Sequence, residues 1–255
     1  MDAMFPASFP SGEGSDLAGI ISEVGANVSD FVVGDEVLGW SWKRSSHAEY
    51  VAVPAKQLIK KPAQLSWKIA GSLYIIATTG YAAVEAVNLK DGDTVVISGA
   101  AGGVGSIAVQ LAKQKGANVI GIASESNHAW LTSLGIKPVA YGDDLVERLK
   151  TVAPDGIDAI IDLYGPEYIQ LAADLGIASD RINTIISFEA AKEIGAKAEG
   201  SMQGSTIEIL SEIAELVASG KIQVPIAATY PLEQVKEAYN ELVKHHTHGK
   251  IVLIP

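Results

Sequence analysis

The sequence predicts an α/β protein built on a doubly wound parallel sheet, and three observations carry that expectation. Short β-branched apolar runs alternate with helical segments between about residues 75 and 200. The stretch Asp91 to Lys113 sets a glycine-rich turn between such a run and a helix. Ahead of both, residues 1 to about 63 are rich in Gly, Val and Pro, with the turn spacing of a β-rich unit.

Turn signals in that first unit fall at Gly25-Ala26-Asn27, Gly34-Asp35 and Lys61-Pro62. Ile69 to Val87 then reads as helical, with Gly80 as its breaker. Thr94 to Ser98 suits a buried parallel strand. Gly102, Gly103 and Gly105 let the backbone approach a pyrophosphate at the start of a helix near Val104, where free N–H groups and the helix dipole favour an anion. Ala100 stands where the usual fingerprint has its first glycine. Beyond the helix, which ends near Gly116, strands are expected at Asn118–Ala123, Lys137–Tyr141, Ile157–Leu163 and Ile182–Ser187. Helices are expected at Asn127–Leu134, Asp143–Val152 and Glu167–Leu175. This alternation implies right-handed crossovers and a Rossmann-type sheet. Thr206 to Ser219 carries an apolar stripe of Ile207, Leu210, Ile213, Leu216 and Val217, which reads as core packing. Strands at Gln223–Ala228 and Ile251–Ile254 flank a last helix, Leu232 to Lys244.

At 255 residues and 48% hydrophobic, the chain can bury a large core in one domain or two. A net charge of −11 opposes nucleic acid or an anionic membrane as the main partner. No apolar run reaches the length of a membrane span, and Met1-Asp2-Ala3-Met4 lacks a basic leader, so a soluble, cytoplasmic protein is expected. The chain has no cysteine, which excludes disulfides, a thiolate nucleophile and cysteine-rich zinc sites. Catalysis is left to a cofactor or to oxygen and nitrogen side chains.

Four segments in this order resemble one family. They are Phe9-Pro10 with Gly14-Ser15-Asp16-Leu17-Ala18-Gly19, Phe31 with Gly34-Asp35-Glu36-Val37, the Ala-Ala-Gly-Gly-Val-Gly cradle through Gln110, and Gly249-Lys250-Ile251-Val252-Leu253. Together they are similar to the zinc-independent quinone oxidoreductase, or zeta-crystallin-like, branch of the medium-chain dehydrogenase/reductase superfamily. The resemblance implies a β-rich GroES-like catalytic domain, incomplete at its N-terminus, from residues 1–74 and 201–255, around an NADP-binding domain of residues 75–200. Zinc-dependent members have Gly-His-Glu in place of Gly14-Ser15-Asp16, and a four-cysteine lobe in place of the loop Trp42 to His47, so both zinc sites are expected to be missing. Hydrogen-bond donors and shape would then assist hydride acceptance. Similar proteins carry further strands and an Asn-Pro stretch before the first segment. A truncated sequence, a misplaced start or a natural short form all fit, and the first is expected.

An acidic residue at the end of the second strand would bind the ribose of NAD and repel a 2′-phosphate. Ser124 holds that position, and with Ser126 it can donate to phosphate, so NADP(H) is the expected cofactor, with Glu125 turned to solvent. The resemblance puts Tyr141 beside the same phosphate or the adenine, and Ala101, Gly102, Gly103 and Val104 around the pyrophosphate. It sets Thr79 near the nicotinamide phosphate, against the alternative of a helix residue bonded to its own backbone. His128 has two open readings, a phosphate contact and an ordinary exposed helix residue. Ser187 and Phe188, at the carboxyl end of the last strand, are expected beside the nicotinamide. Lys250 resembles a basic cofactor contact in relatives.

Other features have plainer readings. His245-His246-Thr247-His248 lies at a helix end, where cations suit the dipole, and lacks the partners of a metal site. Asp16 and Asp35 read as caps of turns. Trp40 and Trp42 could line a flat pocket or cover the β domain. The expected activity is hydride transfer from NADPH to a quinone or similar electron-poor carbonyl or enone. An enone or enoyl-thioester reductase and a non-catalytic NADPH-binding module are the alternatives. The resemblance further implies a homodimer through the edge of the parallel sheet.

Overall fold

The computed structural model describes residues 11–255; Phe9 and Pro10 of the first motif lie outside the described residues. β1 (Asp16–Ile20), β2 (Glu36–Trp40) and β3 (Leu58–Lys60) form an antiparallel sheet in that order. β2 lies in the middle, and its Val37, Leu38 and Trp40 are buried. The helical stretch expected from Ile69 to Val87 arrives as two helices, α1 (Trp67–Ala70) and α2 (Tyr74–Ala86). The chain restarts there because Asp16 on β1 accepts the Ile75 N–H at 2.8 Å, capping the first turn of α2 from another element.

β4 (Thr94–Ile97), α3 (Gly103–Gln114), β5 (Asn118–Ile122), α4 (His128–Ser133), β6 (Lys137–Val139), α5 (Leu145–Val152), β7 (Ala159–Asp162), α6 (Glu167–Asp174) and β8 (Ile182–Thr184) alternate as expected. Their strands form a five-stranded sheet, order β6-β5-β4-β7-β8, with every pair parallel. Strand order reverses at β4, so the crevice at its carboxyl end is where this class of sheet takes a ligand. Gly80 is not a flaw in α2. A Cβ there would lie 3.0 Å from Ile107 Cγ2, so glycine lets α2 lie close on α3.

α7 (Phe188–Ile194), α8 (Ser201–Gly204) and α9 (Ile207–Ala218) follow, then β9 (Ile226–Pro231), α10 (Val235–Leu242) and β10 (Lys250–Ile254). β9 and β10 pair in parallel apart from the other sheets. Leu210, Ile213 and Val217 bury the α9 stripe, but Ile207 is exposed and Ala214 takes its share of the contact.

Two expected strands end or begin elsewhere. β8 stops at Thr184 because its Oγ1 accepts the N–H groups of Ile186 and Ser187, at 3.1 and 2.9 Å, and turns the chain. β9 starts late because Gln110 on α3 holds the Gln223 peptide on both sides, donating to its carbonyl and accepting its N–H, each at 2.9 Å. Gln110→Ala leaves both groups unpaired, and a loss of about 1–3 kcal/mol in unfolding free energy is expected by urea titration.

Candidate functional site

At the end of β4 the Ser98 N–H donates to Ile161 on β7, and Gly99 then takes a φ of +59°. That left-handed residue makes the turn, one position before the expected fingerprint glycine. Ala100 is tolerated because β5 makes room for it. Its side chain is fully buried, and a Cβ on Gly121 would lie 2.9 Å from it. Gly102 closes the turn onto the Gly99 carbonyl at 3.0 Å and caps α3, which begins at Gly103, one residue before the expected Val104. A Cβ on Gly105 would meet the Gly99 carbonyl at 2.1 Å, so only glycine seats the helix this close to the turn. Ala101, Gly102, Gly103 and Val104 thus gather at the helix N-terminus, the arrangement an anionic pyrophosphate needs.

The carboxyl end of β5 carries a polar cluster. Ser124 Oγ lies 2.9 Å from Ser126 Oγ and accepts from Asn127 Nδ2 at 2.9 Å, while Glu125 is exposed. The His128 ring is part-buried, with Nε2 donating to the Ala123 carbonyl at 3.3 Å. Tyr141 is exposed and lies within electrostatic reach of Tyr168, whose hydroxyl is pushed up to about 12, first by burial and then by Glu167, Tyr164, Asp162 and Tyr141.

A buried group that sequence reasoning missed lies between β4, β7 and β8. Asp162 is fully buried, and its Oδ1 accepts from Ser98 Oγ and from the N–H groups of Tyr164 and Gly165, each at 3.0 Å. Its Oδ2 accepts from Thr184 Oγ1 at 2.7 Å and from Ser187 Oγ at 2.8 Å. The signal was present as an acid directly after the apolar pair Ile160-Ile161. Ser187 belongs to this cluster, its buried hydroxyl donating to Asp162 three residues beyond the end of β8. Phe188 opens α7 rather than ending a strand. The two threonines of α2 differ. Thr78 Oγ1 donates to its own helix at Tyr74 O, whereas Thr79 makes no side-chain hydrogen bond among the described residues.

Lys250 lies beside the glycine turn. Its ammonium lies 3.2 Å from Asp16 Oδ2, an ion pair in the part-buried gap between β10 and β1, while its stem crosses Gly103. Asp16 is therefore a cap and an ion-pair partner at once. Asp35 holds its own turn by accepting the Val32 N–H, which keeps its carboxyl below the usual range. A cavity of about 370 Å³ adjoins the Asp16–Lys250 pair, with His47 and Tyr239 in its wall. Burial holds His47 below its ordinary 6.5 against the pull of Glu13 and Asp16. Trp40 is buried and stacks on Tyr74 at 4.4 Å, whereas Trp42 is exposed and meets both rings edge-on.

Comparison with known proteins gives the family. Residues 2–63 match the alcohol dehydrogenase GroES-like domain, and residues 134–253 match the zinc-binding dehydrogenase family. The chain is 30% identical over 281 residues to human "NAD(P)H oxidoreductase RTN4IP1, mitochondrial", covering 96% of itself and 70% of that protein. This chain belongs to the medium-chain dehydrogenase/reductase superfamily. Its fold, a Rossmann-like parallel sheet with a GroES-like N-terminal domain, is the fold of its superfamily neighbours. The quinone oxidoreductase of Coxiella burnetii superposes with a TM-score of 0.84 at 32% identity, over 96% of this chain and 80% of that one. CurK enoyl reductase superposes with a TM-score of 0.84 at 27% identity, over 100% of this chain and 83% of that one.

Two groups implied by this superfamily can be tested against the residues present. A nicotinamide dinucleotide fits, since Gly105 seats α3 against the turn at Gly99, Gly121 leaves room for Ala100 in that turn, and hydroxyl donors stand at the end of β5. A zinc ion does not fit. The chain has no cysteine, both Asp16 oxygens are engaged, and among the described residues no group of three or more His, Cys, Asp or Glu could hold a metal ion. For Asp162→Ala, which strands three hydroxyls and two amides, a loss of about 3 kcal/mol or more is expected in urea unfolding.

Proposed function

We propose that this member of the superfamily is an NADPH-dependent, zinc-free oxidoreductase that reduces a quinone or a similar electron-poor carbonyl. The observation that carries the reading is the pairing of the glycine cradle with a hydroxyl-lined end of β5, where Ser124 stands in the position an acid would hold. Ser124, Ser126 and Asn127 would donate to the 2′-phosphate, and the solvent-facing Glu125 leaves that donor set intact. The N-terminus of α3 would hold the pyrophosphate, and the unbonded Thr79 hydroxyl would face the nicotinamide half. Bound there, the reduced nicotinamide supplies a hydride from C4. A quinone that takes it becomes a hydroquinone anion, and solvent supplies the proton, so no side-chain acid is required. The protein's part is to bind, orient and exclude water. The likeness to a quinone oxidoreductase at 32% identity supports this substrate class.

A second reading, reduction of an enone or enoyl thioester, is favoured by the likeness to CurK enoyl reductase. Rates of NADPH oxidation with a simple quinone and with a 2-alkenal, followed at the nicotinamide absorbance, separate the two. Faster turnover of the quinone is expected. Binding of NADPH with no oxidation by either acceptor would instead indicate a nucleotide-binding module. In Ser124→Asp, loss of a hydrogen bond to a charged phosphate should weaken NADPH at least about tenfold while NADH is retained, as measured by calorimetric titration.

A further inference from the structure

The loops that follow β4 and β8 stand on opposite sides of β7, and the Asp162 side chain at the end of β7 bonds both. Ser98 Oγ accepts the Leu163 N–H at 2.8 Å, so its single proton is left to donate to Asp162 Oδ1 at 3.0 Å. Thr184 Oγ1 accepts the N–H groups of Ile186 and Ser187 and donates its own proton to Oδ2 at 2.7 Å. Each hydroxyl thus ties its own strand end to the same carboxylate. Neither end can shift without leaving a buried oxygen short of a donor, and the other end then feels the change.

The two ends lead to different parts of the crevice. Ser98 precedes Gly99, the left-handed residue that makes the turn, and the Gly99 carbonyl is the surface on which Gly102 closes and Gly105 is seated. Ile185 follows Thr184 and leads toward α2. A Cβ on Gly200 would lie 3.7 Å from Ile185 Cγ2 and 3.7 Å from Thr79 Cγ2, so both side chains meet the chain where α8 begins. The carboxylate therefore links the turn at the head of α3 to the wall beside Thr79. Ser98, Asp162 and Thr184 are wholly buried, so no ligand touches them, and any effect they have on binding passes through the loops.

We propose that Asp162 is a positioning residue that couples the glycine turn to the loop after β8, so that the set of the turn's backbone amides depends on the Thr184 hydroxyl far along the chain. The coupling is a property of the unliganded chain. Its consequence for dinucleotide affinity rests on the reading of this crevice as an NADPH site.

Hydrogen–deuterium exchange of the whole chain, read by mass spectrometry, tests the coupling without a ligand. Thr184→Val removes the hydroxyl and keeps the shape. It should speed exchange of the amides of residues 99–105 about tenfold, the scale of one hydrogen bond to a charged group, while β1 and β2 exchange as in the unaltered chain. Thr184→Ser, which keeps the hydroxyl, should exchange like the unaltered chain. In calorimetric titration Thr184→Val should also weaken NADPH about tenfold. If circular dichroism shows that Thr184→Val fails to fold, Ser187→Ala, which removes the other Oδ2 donor, carries the same test. Unchanged exchange at residues 99–105 overturns the coupling, and so does an equal rise in β1 and β2, which marks general loosening. Faster exchange at the turn with NADPH affinity unchanged overturns the positioning role. Failure of the unaltered chain to bind NADPH overturns the reading of the crevice, while the exchange rates still decide the coupling.

Discussion

The Asp162 carboxylate is the constraint on which the carboxyl edge of the parallel sheet depends. It is buried where β4, β7 and β8 end, and it accepts hydrogen bonds from residues that follow all three strands. A buried charge is tolerated only when its lone pairs are filled, so the donors must be present together. Ser98, the residue before the turn, is one of them, and it also accepts the Leu163 N–H at 2.8 Å. The position from which Gly99 turns is thereby tied to the neighbouring strands. Thr184 bonds the same carboxylate and ends β8, so one acid sets both the shape of the cleft and the length of a strand.

A second set of contacts joins distant parts of the chain at the cradle. Asp16 caps α2 and pairs with Lys250, Gly249 bonds Ala101, and Gln110 holds the Gln223 peptide. The N-terminal sheet, the glycine turn and the C-terminal strands thus share polar contacts that each need a partner from another element. These contacts give Asp16 and Lys250 partners far away in sequence.

Much of the fold was legible because its signals are local. The alternation of β-branched runs and helices, the glycines at helix ends and the strand–turn–helix at Asp91 to Lys113 depend on residues near one another in the chain. Strand ends were less legible. β8 and β9 are cut by bonds to Thr184 Oγ1 and to Gln110, and the second of these comes from far away in sequence. The site divides the same way. The cradle residues and the Ser124 cluster follow from a motif and its spacing. Asp162 was visible as an acid after an apolar pair, but its partners were not, since nothing near it in sequence says which donors will surround it.

By itself the sequence determined the fold class, the glycine turn, the lack of cysteine and the serine pair after β5, since each is a property of residue type and spacing. Only the tertiary structure decided how Ala100 is accommodated and that Ser187 and Lys250 bond Asp162 and Asp16. The reason is physical. A side chain's free hydrogen-bonding capacity is what remains after its neighbours in space are satisfied, and those neighbours are set by packing.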